Sequence, residues 1–122
     1  MRRRLTILGS TGSIGLQALD VVRSHPERFE IVGLSANKDA GTLGKQAREF
    51  SPAYVALESG EAGALEGLRA EKITGPGAAA ELAKVPADVV LNGIVGFAGL
   101  AATVGALRSG NIVALANKES LV

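Results

Sequence analysis

Short apolar runs alternate with amphipathic stretches along almost the whole chain. Five runs have the length and the β-branched content of buried strands: residues 5–8, 31–35, 54–57, 88–91 and 112–115. Between them, apolar residues recur at intervals of three and four, which predicts helices. We expect helices at 13–24, 42–50, 62–70, 78–83 and 99–108, and a short additional strand at 72–74. Alternation of this kind is typical of an α/β protein.

Strands that alternate with helices through short links predict a parallel sheet covered by helices on both faces. With the five main strands numbered along the chain, right-handed crossovers favour the order 3-2-1-4-5. The ligand crevice of such a sheet lies at the carboxyl ends of strands one and four, where the direction of winding switches. We therefore expect one doubly wound, Rossmann-like α/β domain over residues 1–122.

Residues 89–107 carry no charge and are long enough to cross a membrane. They also contain four glycines and an asparagine, and parallel strands covered on both faces are themselves near-continuous apolar runs. We interpret the stretch as a buried strand, a glycine turn and a helix, and we expect no membrane partner.

The most informative motif is the turn at residues 9–15, GSTGSIG, between the first strand and the first helix. Glycine lets the backbone approach a pyrophosphate closely, and the N–H groups that begin the helix point at the anion. The hydroxyls of Ser10, Thr11 and Ser13 can add hydrogen bonds to phosphate oxygens. The G-x-x-G-x-x-G spacing departs from the usual G-x-G-x-x-G, and such a turn can be purely structural. No Gly-Lys-Ser or Gly-Lys-Thr follows, which excludes a P-loop.

The charge and the composition of the chain argue against several classes of function. A net charge of +1 gives no general basic field for nucleic acid, and we interpret the basic run Arg2, Arg3 and Arg4 as a solvated N-terminus. No apolar segment of a signal peptide follows it. The chain has no cysteine, so it has neither disulfides nor thiolate nucleophiles. We expect a cytoplasmic protein.

The loop after the second strand indicates which dinucleotide binds. NAD sites usually place a carboxylate at the end of this strand, and the sequence here is Ala36, Asn37, Lys38, Asp39. Lys38 is suited to the 2′-phosphate of NADP, and Asn37 can hydrogen-bond to it, although Lys38 can also be an ordinary solvated lysine. Asp39 would repel that phosphate unless its carboxylate points away.

A second polar cluster follows the fifth strand, at Asn117, Lys118 and Glu119. An amide, an ammonium and a carboxylate at this edge of the sheet can meet a cofactor or a substrate. The alternative is an ordinary helix start, with Asn117 as N-cap and Glu119 in the first turn.

Four segments together resemble one family: residues 8–15 (LGSTGSIG), 49–52 (EFSP), 93–100 (GIVGFAGL) and 116–122 (ANKESLV). They are similar, in the same order, to the N-terminal part of the 1-deoxy-D-xylulose 5-phosphate reductoisomerases. The resemblance implies an NADPH-dependent enzyme that isomerises and reduces 1-deoxy-D-xylulose 5-phosphate to 2-C-methyl-D-erythritol 4-phosphate in non-mevalonate isoprenoid biosynthesis. It also implies a divalent metal, Mg²⁺ or Mn²⁺, and a homodimer.

The same resemblance implies roles for individual residues. The residues implied to hold the pyrophosphate are Thr11, Gly12, Ser13 and Ile14. Asn37 and Lys38 are implied to face the 2′-phosphate, Asn117 and Glu119 the nicotinamide side, and Lys118 the substrate.

Family members are about three times longer than this chain, as expected of proteins with further domains. We expect the metal ligands to lie outside residues 1–122, and these residues alone to be inactive. Two other interpretations stay open: the first domain of another NADPH-dependent reductase, and a non-enzymatic NADP(H)-sensing module.

Overall fold

The structure, a computed structural model, describes residues 2–94 and the backbone of residues 112–115. Its strands are β1 (Arg3–Leu8), β2 (Phe29–Ala36), β3 (Tyr54–Leu57), β4 (Glu71–Thr74), β5 (Val89–Asn92) and β6 (Ile112–Leu115). Its helices are α1 (Ser13–Ser24), α2 (Ala40–Phe50) and α3 (Ala78–Ala83), with a single 3₁₀ turn at Ala62–Leu65. None of these helices is long and apolar enough to cross a membrane.

All paired strands of the sheet run parallel, in the order β4-β3-β2-β1-β5-β6. The five main strands therefore follow the predicted order, and the short additional strand is β4, which extends the edge beyond β3. The chain winds from β1 outward to β4 and then crosses back to β5 on the other side of β1. This reversal places the switch point between β1 and β5.

Two apolar clusters hold the layers together. The larger one joins the sheet to α1 and α2 through buried side chains such as Leu19 and Leu43. The smaller one lies around Leu82 of α3, and includes Leu8 and Val90. Helices thus cover both faces, which explains why the strands read as nearly continuous apolar runs.

The β2 strand carries an irregularity that the sequence pattern did not reveal. Its pairing with β1 shifts between Leu5 and Thr6, so that Thr6 pairs with Gly33. A Cβ on Gly33 would lie 2.5 Å from a methyl group of Leu82. Gly33 therefore lets α3 pack directly on the sheet.

The predicted helix at 62–70 is wrong beyond its first turn. Only Ala62–Leu65 is helical, as a 3₁₀ turn, and Gly67 adopts a left-handed φ of +83°. Glycine is a poor helix former, and the segment offers only one fully buried apolar side chain, Leu65, to offset that cost. The helices expected at 13–24, 42–50 and 78–83 are present, with α2 starting two residues earlier. The helix expected at 99–108 lies outside the described residues.

Candidate functional site

The candidate site lies where β1 and β5 end side by side. Leu8 pairs with Asn92, and the N–H of Gly93 donates to the carbonyl of Leu8 over 2.9 Å. The chain then leaves β1 through the glycine turn at residues 9–15, and α1 begins at Ser13. The turn therefore stands at the carboxyl end of the sheet, at the predicted switch point.

Two of the three glycines in the turn are required by its backbone conformation and its packing. Gly9 has a φ of +75°, a conformation that residues with a Cβ rarely adopt. A Cβ on Gly15 would lie 2.4 Å from the carbonyl oxygen of Gly9, which is a severe clash. These two glycines let the turn close tightly against the first turn of α1.

Gly12 differs from the other two. It has an extended backbone (φ −83°, ψ 174°) that other residues adopt readily, and it is exposed. Among the described residues, the nearest neighbour of a Cβ placed there would be the carbonyl oxygen of Gly9, at an ordinary 3.5 Å. Nothing within the described part of the chain requires glycine at this position.

The N-terminus of α1 is suited to an anion. Gly12 is its N-cap and offers no side-chain acceptor, and the first turn contains no acidic residue. The N–H groups of Ser13 and Ile14 lie in the first turn of α1, where backbone N–H groups find no acceptor within the helix. Ser13 is exposed, while Thr11 and Ile14 are partly exposed. The four residues Thr11 to Ile14 thus form one accessible surface over a positive helix end.

Ser10 corrects one expectation from the sequence. Its side chain is fully buried, and its hydroxyl donates to the Oε1 atom of Gln46 over 2.7 Å. It therefore faces α2 and does not face the surface on which a phosphate would bind. Ser35, Gln46 and Asn92 are buried polar residues beside the turn that the sequence motif did not identify.

Asn37 and Lys38, which follow β2, are both exposed. Their backbone carbonyls are engaged: the carbonyl of Asn37 accepts from the N–H of Ser59 over 2.8 Å, and that of Lys38 from the N–H of Ala40 over 3.0 Å. Within the described part of the chain, the Lys38 ammonium forms no ion pair. Hydrogen bonds thus fix the backbone of Asn37 and Lys38, and both residues are exposed to solvent.

Asp39 is the N-cap of α2. Its carboxylate accepts from the backbone N–H of Thr42 over 3.1 Å, and this hydrogen bond lowers the pKa of Asp39 below its ordinary 3.8. The carboxylate is thus directed to the first turn of its own helix. The carboxylate stays negatively charged, and its bond to Thr42 gives it a role in α2 that does not involve a ligand.

Asn117, Lys118 and Glu119 lie outside the described residues. Their predicted roles therefore stay predictions. In the described ranges, 2–94 and 112–115, no three histidine or acidic side chains are grouped as a metal site requires.

Comparisons with known proteins give one consistent result. The family model for 1-deoxy-D-xylulose 5-phosphate reductoisomerase matches residues 5–122. Among curated proteins, the reductoisomerase of Beutenbergia cavernae is 54% identical and that of Chlorobium phaeobacteroides 49% identical, each over 98% of this chain. Among solved structures, the Zymomonas mobilis reductoisomerase in complex with NADPH matches with a TM-score of 0.90 and 36% identity over 99% of this chain. Another reductoisomerase structure, with NADPH, fosmidomycin and magnesium, matches with a TM-score of 0.89 and 36% identity over 98% of this chain.

The match covers only part of each relative. This chain spans 32% and 33% of the two curated proteins, and 33% and 31% of the two solved chains.

Proposed function

The chain belongs to the 1-deoxy-D-xylulose 5-phosphate reductoisomerase family, and from this premise we propose that residues 1–122 form the NADPH-binding domain of such an enzyme. The single observation that carries the proposal is Gly12. Its extended backbone and its neighbours among the described residues accept a side chain, yet it is glycine, exposed, at the N-terminus of α1. A ligand that must touch the backbone supplies the missing reason.

In this proposal the pyrophosphate lies on the surface formed by Thr11, Gly12, Ser13 and Ile14. The first-turn N–H groups donate to its oxygens, and the helix dipole favours the negative charge. No acidic side chain in the first turn of α1 opposes it. The absence of a Cβ on Gly12 leaves room for close approach.

Asn37 and Lys38 are proposed to hold the adenosine 2′-phosphate. Both are exposed, and the Asp39 carboxylate beside them is occupied as a helix cap. A charge-assisted hydrogen bond from the Lys38 ammonium then favours NADPH over NADH. NADPH supplies the hydride with which a carbonyl is reduced.

The remaining assignments follow from membership of the family. We propose that Asn117 and Glu119 contact the nicotinamide side and that Lys118 contacts a phosphosugar, 1-deoxy-D-xylulose 5-phosphate. Three of the matching solved structures are complexes with magnesium, which supports a divalent metal in the whole enzyme. We further propose a cytoplasmic homodimer whose metal ligands lie outside residues 1–122.

Family membership over residues 5–122 disfavours the alternative that the chain is the first domain of another NADPH-dependent reductase. A sensing module without catalysis is disfavoured for the same reason, because the curated relatives are named as reductoisomerases.

The test is a calorimetric titration of the chain with NADPH and, separately, with NADH. We expect NADPH to bind more tightly by about 1–3 kcal/mol, the range of a hydrogen bond to a charged group. Equal affinities would contradict the assignment of Asn37 and Lys38. Failure to bind either nucleotide would contradict the proposed function as a whole.

A further inference from the structure

Behind the glycine turn, two buried side chains are joined by a pair of hydrogen bonds. The Nε2 atom of Gln46 donates to the backbone carbonyl of Ser10 over 2.9 Å, and its Oε1 atom accepts from the Ser10 hydroxyl over 2.7 Å. Gln46 is 6% exposed and Ser10 is fully buried. Because the amide both donates to and accepts from one residue, it holds Ser10 at two points. Without Gln46 the Ser10 hydroxyl could still donate to the Ser35 carbonyl, 3.2 Å away, but the buried Ser10 carbonyl would lose the donor that Gln46 supplies, which is unfavourable.

The other support of the turn comes from the end of β2. The N–H of Gly9 donates to the Ser35 hydroxyl over 2.9 Å, and the N–H of Ser10 donates to the Ser35 carbonyl over 2.8 Å. Ser35 is itself 1% exposed. The turn is therefore held from β2 and from α2, by groups on the side away from the exposed surface of Gly12.

The α2 helix also supports the second polar segment of the site. Its N-cap, Asp39, directly follows Asn37 and Lys38, and Gln46 comes seven residues later on the same helix. At 1.5 Å per residue, these two supports are about 10 Å apart along the helix axis. One rigid element is thus bonded to the glycine turn and to the loop that carries Lys38.

We propose that Gln46 is a positioning residue for cofactor binding. Its two hydrogen bonds to Ser10 set the place of the pyrophosphate-binding turn relative to the loop of Asn37 and Lys38. Gln46 touches no ligand itself and acts through the backbone of Ser10. The proposal rests on the proposed function, since it assigns NADPH to these two segments.

The test compares NADPH with 2′-AMP, a fragment that carries the 2′-phosphate but no pyrophosphate. Gln46→Met keeps the length of the side chain and removes both hydrogen bonds. We expect its NADPH affinity to fall by about 10- to 100-fold, the scale of two lost hydrogen bonds, and its 2′-AMP affinity to stay unchanged. The matched control, Leu43→Val, alters the same buried side of α2 without a bond to the turn, and should keep both affinities.

Gln46→Glu gives a second, pH-dependent readout. A protonated carboxyl group can donate to the Ser10 carbonyl and accept from the Ser10 hydroxyl, whereas a carboxylate can only accept. Burial raises the pKa of a carboxyl group, so the protonated form persists above the usual range. We expect NADPH affinity near that of the wild type at pH 5 and a progressive loss as the pH rises, relative to the wild type at each pH.

Hydrogen exchange of the ligand-free chain separates this inference from the proposed function. Gln46→Met should accelerate exchange at the N–H groups of Gly9 and Ser10, and Leu43→Val should not. Unchanged NADPH affinity with unchanged exchange, or equal loss of NADPH and 2′-AMP affinity, would overturn the role of Gln46. If the wild type binds neither nucleotide, the proposed function fails, and exchange at Gly9 and Ser10 still decides whether Gln46 holds the turn.

Discussion

At the scale of single residues, the glycine turn separates structural from functional glycine. Gly15 is required by packing, because its Cβ would lie 2.4 Å from the Gly9 carbonyl oxygen. Gly12 has no such requirement within the described residues. The two positions therefore make opposite predictions for substitution.

Gly12→Val should abolish detectable NADPH binding and leave the chain folded. Valine adopts the extended backbone of Gly12 without strain, but its side chain would project into the space proposed for the pyrophosphate. Loss of a glycine N-cap should cost stability by no more than about 1 kcal/mol. Calorimetry measures binding, and thermal unfolding measures stability.

Gly15→Ala is the matched control for this prediction. It should lower the melting temperature markedly, because the new methyl group clashes with backbone that cannot yield cheaply. Normal NADPH binding by Gly12→Val would mean that the cofactor lies elsewhere.

Lys38→Ala tests the discrimination between cofactors. The ammonium is exposed and directly precedes the capping residue Asp39, so its removal should spare the fold. NADPH affinity should fall about tenfold, the equivalent of one charge-assisted hydrogen bond, while NADH affinity should not change. Lys84→Ala removes an exposed lysine at the end of α3, away from this loop in the sequence, and should have little effect on either. An equal loss of both nucleotides in Lys38→Ala would refute its role at the 2′-phosphate.

At the scale of elements, α2 depends on the Asp39 cap. The hydrogen bond from Thr42 favours the carboxylate, so the pKa of Asp39 is lower in the folded chain than in the unfolded one. A group of this kind contributes stability at pH values above its unfolded pKa. That contribution is lost as the pH falls through the lower, folded pKa.

We therefore predict that the difference in melting temperature between the wild type and Asp39→Asn depends on pH. Asparagine caps helices well but is neutral, so it lacks the part of the stability that comes from the negative charge at the helix N-terminus. The wild type should melt at a higher temperature than Asp39→Asn at pH 7, and the gap should shrink toward pH 3. Thermal unfolding followed by circular dichroism measures the melting temperature of each protein at pH 7 and at pH 3. A gap that grows toward pH 3 would contradict the capping role.

At the scale of the whole molecule, cofactor binding and turnover should be separable. The proposed reaction requires the hydride donor, the phosphosugar and the metal in one geometry, and a displacement of about 1 Å can cost a hundredfold in rate. Residues 1–122 should bind NADPH but oxidise none of it with 1-deoxy-D-xylulose 5-phosphate, with or without Mg²⁺ or Mn²⁺. Absorbance of NADPH at saturating substrate measures this. Metal-dependent turnover by these residues alone would show that they carry the active site themselves.

In a full-length protein that contains this chain, Lys118→Ala should lower turnover more than it lowers NADPH affinity, because its ammonium is predicted to face the substrate. A loss of NADPH affinity equal to the loss of turnover would instead assign Lys118 to the cofactor. The comparison needs the dissociation constant and the turnover number of the same variant.

Local pattern was sufficient for most of the architecture. The pattern of apolar residues predicted all six strands and the three helices of the described part. It did so because the inner strands bury near-continuous apolar runs, and the helices pack apolar side chains against the sheet. The glycine turn was recognisable because its residues are contiguous. The helix expected at 62–70 is wrong beyond its first turn, because two glycines disfavour a helix there and Leu65 is the only fully buried apolar side chain of the segment.

The contacts between distant parts of the chain, by contrast, emerge only from the fold. By residue type alone, the hydroxyls of Ser10 and Ser13 are equally able to bind phosphate, and only the family resemblance favours Ser13. The fold buries its hydroxyl against Gln46, which lies 36 residues away in the sequence. The hydrogen bond that the Asp39 carboxylate accepts, and the difference in steric surroundings between Gly12 and Gly15, are likewise visible only in the folded chain. Each depends on which backbone and side-chain groups the sheet and helices bring within hydrogen-bond or van der Waals distance, and no local pattern encodes that arrangement.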